Sequence, residues 1–286
     1  MGDICFNGKW ASDYGITVEK LPSRPMTKRQ YTSTAVPGRT GNVLAPESYF
    51  SNISQPYEVW IKPRFSETMT DGAANRLAEW LYASDPFDGA DADGYLWIED
   101  TYSPTVMRRA IISSVSEIQT AWNKAGRCTI TFEEKPQKYS KSGLEWPSTP
   151  QQQEYIDNPS KFPAKPLFRV ELYYDADAQA YEAGEFYFQN FNHGHAGDLH
   201  FVCFDPPTQV ETPDPEIGNI YVDSETMEIY RVYSSTGKVN AASECYIEET
   251  TTLALPPNFP MLYGGESSWI ASTDCDVYVM RRDWTL

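Results

Sequence analysis

Three histidines, the only ones in the chain, lie within eight residues of one another: His193, His195 and His200. Imidazole and carboxylate groups are ligands for transition metals, and His193 and His195 could point the same way from an extended strand with Asp198 nearby. The same residues belong to Asn192-His193-Gly194-His195-Ala196-Gly197, a polar, glycine-rich run typical of a connector. We therefore interpret the cluster as a turn and predict no metal, keeping a metal site as the alternative.

An acidic stretch near residues 88–100 suggests calcium, because carboxylate oxygens are the ligands that this ion prefers. Asp91, Asp93 and Gly94 fit the calcium loop of an EF-hand. However, Gly89 occupies the first ligand position and Asp100 the last, so the template is broken at both ends. A solvated turn between two elements explains the stretch better.

No signature of a known catalytic site is present. The sequence contains no G-x-S-x-G nucleophile elbow, no phosphate-binding P-loop and no dinucleotide glycine motif. Paired carboxylates of a glycoside hydrolase stay open as an alternative, because sequence spacing cannot show two groups facing each other across a cleft. We predict a protein that is not an enzyme and that needs no cofactor.

Aromatic residues are better candidates for binding, because sugars and protein partners both pack on aromatic rings. They crowd the C-terminal half, although about half of the aromatic residues on each strand are expected to fill a core. The candidates for contact with a glycan or a protein partner are Tyr174, Tyr181, Tyr187, His193 and His195.

The charge of −17 is spread unevenly along the 286 residues. Residues 1–140 hold 15 Lys and Arg against 17 Asp and Glu, whereas residues 141–286 hold 8 against 23. This asymmetry indicates two units with different surfaces. No basic stripe for nucleic acid is present, and an acidic surface is repelled by anionic membranes. Five widely spaced cysteines without a C-x-x-C pair indicate a reducing compartment, and no signal-peptide core opens the chain.

The pattern of residues 1–139 predicts about half a dozen strands and one helix. Ile16 and Val18 alternate with polar neighbours, residues 57–61 form a second strand, and helical spacing marks residues 74–82 with Thr70 or Asp71 as its cap. Residues 106–132 predict a long hairpin. This set favours a mostly β fold, a β-sandwich or split barrel with one inserted helix.

Six prolines between residues 136 and 166 mark a boundary, and we predict a semi-rigid linker over residues 140–166. Residues 167–286 then show about eight short strands separated by turns, which predicts a jelly-roll β-sandwich.

Several short motifs together resemble the distal tail protein, Dit, of long-tailed non-contractile bacteriophages (siphophages). In chain order they are Phe6-Asn7-Gly8, Asp13-Tyr14-Gly15-Ile16, Pro37-Gly38-Arg39-Thr40-Gly41, residues 57–62, the helix with Leu77 and Leu81, residues 128–139, Asn158-Pro159, residues 220–230 and residues 277–284. No single motif is specific, but the ordered set covers nearly the whole chain.

The resemblance implies a ring-forming N-terminal domain, residues 1–139, and a galectin-like C-terminal domain, residues 167–286. Such a protein forms a hexamer, or two stacked hexamers, at the tail tip of the virion and is assembled in the host cytoplasm. The implied partners are the tail tube protein, a tail-associated lysin or fibre hub protein, and a receptor-binding protein. The rival interpretations are a lectin for cell-wall glycans and a cell-wall glycosidase.

A closed ring needs two different patches that meet on neighbouring subunits. We predict that the loop near residues 36–44 lines this interface or the lumen, and that the 106–132 hairpin reaches across it. The candidate interface residues are Val36, Pro37, Gly38, Arg39, Thr40, Gly41, Arg108, Ile111, Ile118 and Trp122.

Overall fold

A computed structural model describes residues 2–20, 22–37, 40–63, 72–83, 93–121, 125–190, 199–204, 213–249, 259–263, 265 and 267–286. The chain divides into two compact units, the first covering Met1–Lys138 together with Leu286 and the second covering Tyr139–Thr285. In the described residues both units are built mainly of strands, so the predicted mostly β fold is confirmed.

The first unit is built on one large sheet with the strand order β2-β1-β7-β8-β10-β6-β3, and β9 pairs with β10. Its elements are β1 (Ile4–Phe6), β2 (Lys9–Trp10), β3 (Ile16–Val18), β4 (Arg29–Thr34), β5 (Val43–Phe50), β6 (Ile53–Ile61), α1 (Ala74–Tyr82), β7 (Leu96–Asp100), β8 (Val106–Val115), β9 (Gln119–Ala121) and β10 (Ala125–Ser140).

The large sheet curls into a split barrel. β2 and β3 stand at opposite ends of the strand order, yet only residues 11–15 connect them. That connection spans at most about 20 Å, whereas seven flat strands would hold the two ends about 29 Å apart. Phe6 on β1 meets Phe132 on β10 with ring centroids 5.1 Å apart, although two strands separate them in the sheet order. A split barrel was one of the two forms that the sequence predicts.

The predicted helix is α1, and its buried side covers the barrel core. Leu77, Trp80 and Leu81 are buried, and the Trp80 indole N–H donates to the Lys9 carbonyl at 2.9 Å. Ala73 precedes the helix as its N-cap residue and forms no side-chain cap hydrogen bond, and the two predicted caps, Thr70 and Asp71, lie outside the described residues.

The second unit is a sandwich of two five-stranded sheets, with the orders β11-β21-β15-β16-β20 and β19-β18-β17-β12-β22. Its elements are β11 (Glu154–Asp157), β12 (Leu167–Leu172), β13 (Tyr174–Asp175), β14 (Ala180–Tyr181), β15 (Gly184–Asn190), β16 (Leu199–Phe204), α2 (Pro215–Gly218), β17 (Asn219–Asp223), β18 (Glu228–Tyr233), β19 (Gly237–Asn240), β20 (Cys245–Glu249), β21 (Ser267–Thr273), β22 (Cys275–Met280) and β23 (Trp284–Thr285).

Aromatic rings fill the space between the two sheets. Phe168 of one sheet stacks on Phe186 of the other at 5.0 Å and meets the edge of Phe188 at 5.6 Å. All three side chains are fully buried. Aromatic pairs in these geometries stabilise a core beyond the area that they bury.

The predicted linker is in part a structural element of the sandwich. β11 lies inside residues 140–166 and pairs with β21, and Ile156 is buried in the core. Further upstream, the Gln151 N–H donates to the Val277 carbonyl at 2.7 Å. The prolines misled the prediction because they flank β11 without interrupting it, and an edge strand tolerates proline close to it.

Candidate functional site

β4 and β5 form a separate two-stranded ribbon, here called the arm (residues 29–50). The two strands pair with each other from Arg29↔Phe50 to Thr34↔Val43, and in the described residues neither pairs with the large sheet. The arm and its surroundings hold five of the eleven large hydrophobic side chains that are exposed in the described residues: Met26, Tyr31, Val36, Val43 and Leu44. Exposed apolar side chains concentrated in this way mark an interaction surface.

The tip of the arm is the loop that the sequence singled out. Val36 is 42% exposed, and Pro37, Thr40 and Gly41 are exposed as well. Gly41 has φ +84°, a left-handed conformation that favours glycine. Gly38 and Arg39 lie outside the described residues. The described part of this predicted interface is therefore accessible.

Hydrogen bonds join the two ends of the arm to each other and tie the segment before the arm to the barrel. The Thr27 hydroxyl donates to the Ser51 carbonyl at 2.6 Å, and the Ser51 N–H donates to the Lys28 carbonyl at 3.0 Å. Just before the arm, the Gln55 side-chain amide of β6 donates to the Ser23 carbonyl at 2.7 Å. The barrel thus sets the point from which the arm extends.

A cluster of buried ionic groups lies at the inner face of the barrel sheet next to this base. One oxygen of Asp100, Oδ2, accepts hydrogen bonds from Arg24 at 2.5 Å, Arg108 at 2.6 Å and the Tyr57 hydroxyl at 2.8 Å. Arg24 belongs to the segment that leads into the arm, so this ion pair also holds the arm base. Burial, followed by the charges of Glu134 and Asp100, raises the pKa of Tyr57, which keeps it a neutral donor.

Arg108 is therefore an interior residue and not the interface residue that the sequence predicts. Only 1% of its surface is exposed. The prediction assumed that a charged residue on a strand faces outward. Arg108 instead lies on the inward side of β8, as Ala110 does, and forms an ion pair there with Asp100. A buried charge is stable only when it is paired in this way.

Glu134 completes the cluster from β10, with its Oε2 atom 3.6 Å from the Arg108 Nε atom. Burial raises the pKa of Glu134 to about 8. The positive charge of Arg24 acts to lower this pKa, and the negative charge of Asp100 acts to raise it further. Lys138 lowers it slightly. The cluster therefore contains one group that changes charge near neutral pH.

The predicted 106–132 hairpin lies within the barrel sheet, where β8 and β10 are neighbours. Ile111 is half-buried, and Ile118 is half-buried and packs against the core. Trp122 lies outside the described residues. Most of this hairpin is thus barrel wall, whereas the strands of the arm stay unpaired with the large sheet in the described residues.

The predicted glycan-contact residues do not form a surface patch. Tyr181 is 8% exposed, and its hydroxyl donates to the Asp214 carbonyl at 2.5 Å and accepts from the Asp214 N–H at 2.7 Å. Tyr174 is half-buried and meets the edge of Tyr181 at 5.3 Å, so both belong to the interior. Tyr174 continues the inward series of Phe168, Val170 and Leu172, so strand parity was a signal that could have placed it inside. Tyr181 does not share the parity of the buried Phe186 and Phe188 on the next strand, so spacing gave no such signal for it. Tyr187 is half-buried, and its hydroxyl donates to Glu185. His193 and His195 lie outside the described residues.

An aromatic and cationic row crosses the outer face of the β12 sheet. Tyr278, Arg169, Tyr221 and Tyr230 stand at one register on four neighbouring strands. The Arg169 guanidinium lies 4.2 Å from the Tyr278 ring centroid, and Tyr221 stacks on Tyr230 at 5.4 Å. The Lys238 ammonium lies 3.9 Å over Tyr230. Because neighbours cover these rings, the row stabilises the sheet and is poorly suited to stacking a sugar.

Asp223 and Arg282 join two of the motifs on which the resemblance rests. Arg282 donates two hydrogen bonds to Asp223, Nη1 to Oδ1 at 2.7 Å and Nη2 to Oδ2 at 3.1 Å. Asp223 Oδ1 also accepts the Glu225 and Thr226 N–H groups, which fixes the β17–β18 turn. Burial alone would raise the pKa of Asp223, but Arg282 and these N–H groups outweigh it and hold that pKa below its usual value. Sequence reasoning missed this pair, since the partners are far apart in the chain.

Replacing Asp223 with alanine is expected to lower the free energy of unfolding of the second unit by about 2–3 kcal/mol, because it removes both hydrogen bonds from the carboxylate to the largely buried Arg282 and leaves the more distant Glu225, at 3.5 Å, as its ion-pair partner. The folded chain holds the pKa of Asp223 below the value of 3.8 that it has in the unfolded chain. The stability that the ionised Asp223 side chain contributes is therefore fully present above pH 3.8 and is lost as the pH falls through the lowered pKa. Chemical denaturation at pH 7 and pH 3 measures both effects.

The control Glu228→Ala removes an exposed ion pair with Lys238 and should cost less than about 1 kcal/mol. Equal losses in the two variants at pH 7 would contradict the prediction.

In the described ranges, no cluster of three or more His, Cys, Asp or Glu side chains could hold a metal ion. Asp91, His193 and His195 lie outside those ranges, so the two ion sites considered from the sequence keep their status as alternatives. Among the described residues no helix has both the length and the apolar character needed to cross a bilayer.

Over nearly its whole length the chain has the fold of phage Dit-like tail proteins, as the resemblance predicted. One match is SPP1 Dit (gp 19.1), presented as a paradigm of the hub adsorption apparatus in phages that infect Gram-positive bacteria. It has a TM-score of 0.60 and 13% identity over 98% of this chain and 97% of that one. A chain of the phage P2 baseplate, in its activated conformation with Ca, matches with a TM-score of 0.52 and 9% identity over 97% and 96%. No family model and no curated protein matches the sequence.

Proposed function

We propose that this chain is the Dit hub subunit of a phage tail tip, a structural protein that joins the tail tube to the baseplate. The observation that carries the proposal is the fold match over 98% of this chain and 97% of SPP1 Dit, which includes both units in the same order. The subunit is assembled in the host cytoplasm and functions in the virion. It has no catalytic role.

The proposal includes self-assembly into a ring, with six subunits or two stacked rings of six, and the arm supports self-assembly. A two-stranded ribbon is at best marginally stable in water, and this one exposes apolar side chains such as Tyr31 and Leu44. Contact with a neighbouring subunit stabilises the ribbon and covers these apolar side chains. The near-neutral first unit tolerates such contact, whereas the acidic second unit repels its copies and remains outside, available to a receptor-binding protein. The tail tube protein and a tail-associated lysin or fibre hub protein bind the two sides of the ring.

The first test is negative-stain imaging of the purified full-length protein together with its solution mass. We expect rings of six or twelve subunits with a central channel. A variant in which a short Gly-Ser link replaces residues 30–49 should be a folded monomer. The control shortens another exposed turn, residues 234–236 between β18 and β19, and should still form rings.

A wild-type protein that stays monomeric at high concentration, even with the neighbouring tail proteins present, would contradict the proposal. Rings formed by the arm-shortened variant would instead remove the arm from the interface and leave the hub function standing. The lectin alternative is tested by a glycan array with the full chain, where reproducible binding to cell-wall glycans would support it.

A further inference from the structure

The strand β19 (Gly237–Asn240) forms an exposed edge of the second unit. It is the last strand in the order β19-β18-β17-β12-β22, and among the described residues no strand pairs with it on its other side. All four of its residues are exposed as whole residues. An exposed strand edge is a template on which another chain can pair, because its outer row of backbone N–H and C=O groups is accessible.

The pairing with β18 shows which backbone groups of β19 point outward. At the end of this pairing the Ala241 N–H donates to the Ile229 carbonyl at 2.9 Å. Alternate residues of an antiparallel strand bond in opposite directions, so Val239 bonds toward β18. The N–H and C=O groups of Lys238 and Asn240 therefore point away from β18. Both residues are exposed, so these groups are accessible to a further strand.

Lys238, the one charged residue of β19, has its side chain over its own sheet. The ammonium forms an ion pair with Glu228 and lies 3.9 Å from the Tyr230 ring centroid. A lysine protects an edge strand when its charge occupies the space that an added strand would fill. Here Glu228 and Tyr230 hold the charge over the face of the sheet, so the backbone edge stays accessible.

The sandwich core is not fully covered where it reaches β19. Val239 lies opposite Arg231 and on the same side of the sheet as the buried Ala241, so it belongs to the inner face. Even so, 40% of Val239 is exposed. On the outer face Val232, opposite Lys238, is 46% exposed. An apolar side chain on an added strand would cover Val239, so the edge offers a hydrophobic contact as well as backbone hydrogen bonds.

We propose that β19 binds an extended, basic segment of a different protein, which becomes a sixth strand of this five-stranded sheet. The backbone of the segment bonds to Lys238 and Asn240. Its side chains alternate, so an apolar one packs on Val239 while the next, a Lys or Arg, faces the outer side. The inference goes beyond the proposed function, because it assigns a binding surface to the second unit and does not depend on the arm or on a ring.

Net charge favours a basic partner over a second copy of this chain. Residues 141–286 hold 8 Lys and Arg against 23 Asp and Glu, a balance of −15. A second copy would bring the same negative charge to the edge and would be repelled, whereas Lys or Arg side chains on the segment are attracted. The charge thus selects the kind of partner, and the backbone hydrogen bonds set its register.

Fluorescence anisotropy of a labelled peptide of alternating Lys and Val, added to the full chain, tests the pairing. Asn240→Pro removes one outward N–H group and places the proline ring against the added strand, so it should weaken binding about ten-fold or more. Asn240→Ala is the matched control. It also loses the side chain whose Oδ1 atom accepts the Ala242 N–H, but it keeps the backbone N–H group, so binding should change less than about two-fold. A peptide with Glu in place of each Lys should bind the wild type about ten-fold more weakly or not at all.

Amide hydrogen exchange locates the bound peptide. The N–H groups of Lys238 and Asn240 should exchange more slowly once the basic peptide is bound. Slower exchange in the protein alone as its concentration rises would show that a second copy occupies the edge, and it would overturn the proposal. Slower exchange only elsewhere in the chain would overturn it as well.

The binding results are equally decisive. No binding of the basic peptide to the wild type, equal binding by Asn240→Pro and Asn240→Ala, or equal binding of the acidic peptide would each overturn the proposal. If circular dichroism shows that Asn240→Pro does not fold, Val239→Lys takes its place, because it removes the apolar contact and repels the basic peptide. Unchanged binding by that variant would overturn the proposal. All these results leave the hub function standing, since rings are measured without peptide.

Discussion

Arg108→Ala is expected to lower the free energy of unfolding of the first unit by about 3–5 kcal/mol. Arg108 is 1% exposed and donates to Asp100 at 2.6 Å, with Glu134 at 3.6 Å. Its removal leaves Glu134 without this guanidinium and opens a cavity. Asp100 keeps Arg24 and Tyr57, so the first unit should still fold, with a lower stability.

Urea denaturation of the full chain, followed by a probe in the first unit, measures this loss. Arg127→Ala is the control, because Arg127 also pairs with a carboxylate, Glu19, but its side chain is 47% exposed. The control should cost less than about 1 kcal/mol. A loss below about 1 kcal/mol for Arg108→Ala would mean that the buried cluster contributes no more than a surface ion pair.

The second large effect concerns the pH dependence of stability, which Glu134→Gln should flatten. The pKa of Glu134 is raised from 4.5 to about 8, mainly by burial. Between these two values the folded chain holds a proton that the unfolded chain has released. The contribution of Glu134 is therefore fully present below pH 4.5 and is lost as the pH rises toward 8. Between these two pKa values, Glu134 lowers the free energy of unfolding by about 1.4 kcal/mol for each unit that the pH rises.

The measurement is the free energy of unfolding of the first unit at several pH values from 5 to about 8.5, for wild type and variant. We expect the wild-type curve to fall relative to that of Glu134→Gln across this range. Glu133→Gln is the matched control, since Glu133 is the next residue on β10 and faces outward, where Asn52 donates to it at 2.6 Å. The control should keep the wild-type slope. Parallel curves for wild type and Glu134→Gln would contradict the prediction.

Much of the fold could be predicted because most strands carry a period-two pattern that ends at turn residues. Short strands separated by turns follow residue 167, as predicted, and α1 follows the predicted helical spacing. The strand β11 was missed because its four residues lie between prolines. A composition shift marks a change of surface, but it does not exclude a strand at the edge of a sheet.

The ionic cluster could not be predicted from composition, because charged residues on strands are usually exposed. One signal was available. Glu134 continues the inward series of Ile130 and Phe132, and Asp100 follows Ile98 by two residues, so strand parity places both carboxylates inside. Strand parity cannot identify the ion-pair partner of these carboxylates, because Arg108 lies on a different strand, β8. The arm was anticipated only at its tip, because its strands expose nearly all of their described side chains and show no alternation.

The strand order of the second unit has a consequence for synthesis on the ribosome. β12 pairs with β22, which follows it by about 110 residues, and it lies between β17 and β22 in the sheet. The sandwich therefore cannot close until its last strands have emerged, and pairing over such distances in sequence is slow. All strands of the barrel sheet that belong to the first unit precede residue 141, so the barrel can fold while the sandwich is still being translated. A nascent chain would thus present a folded barrel and its arm before its second unit exists.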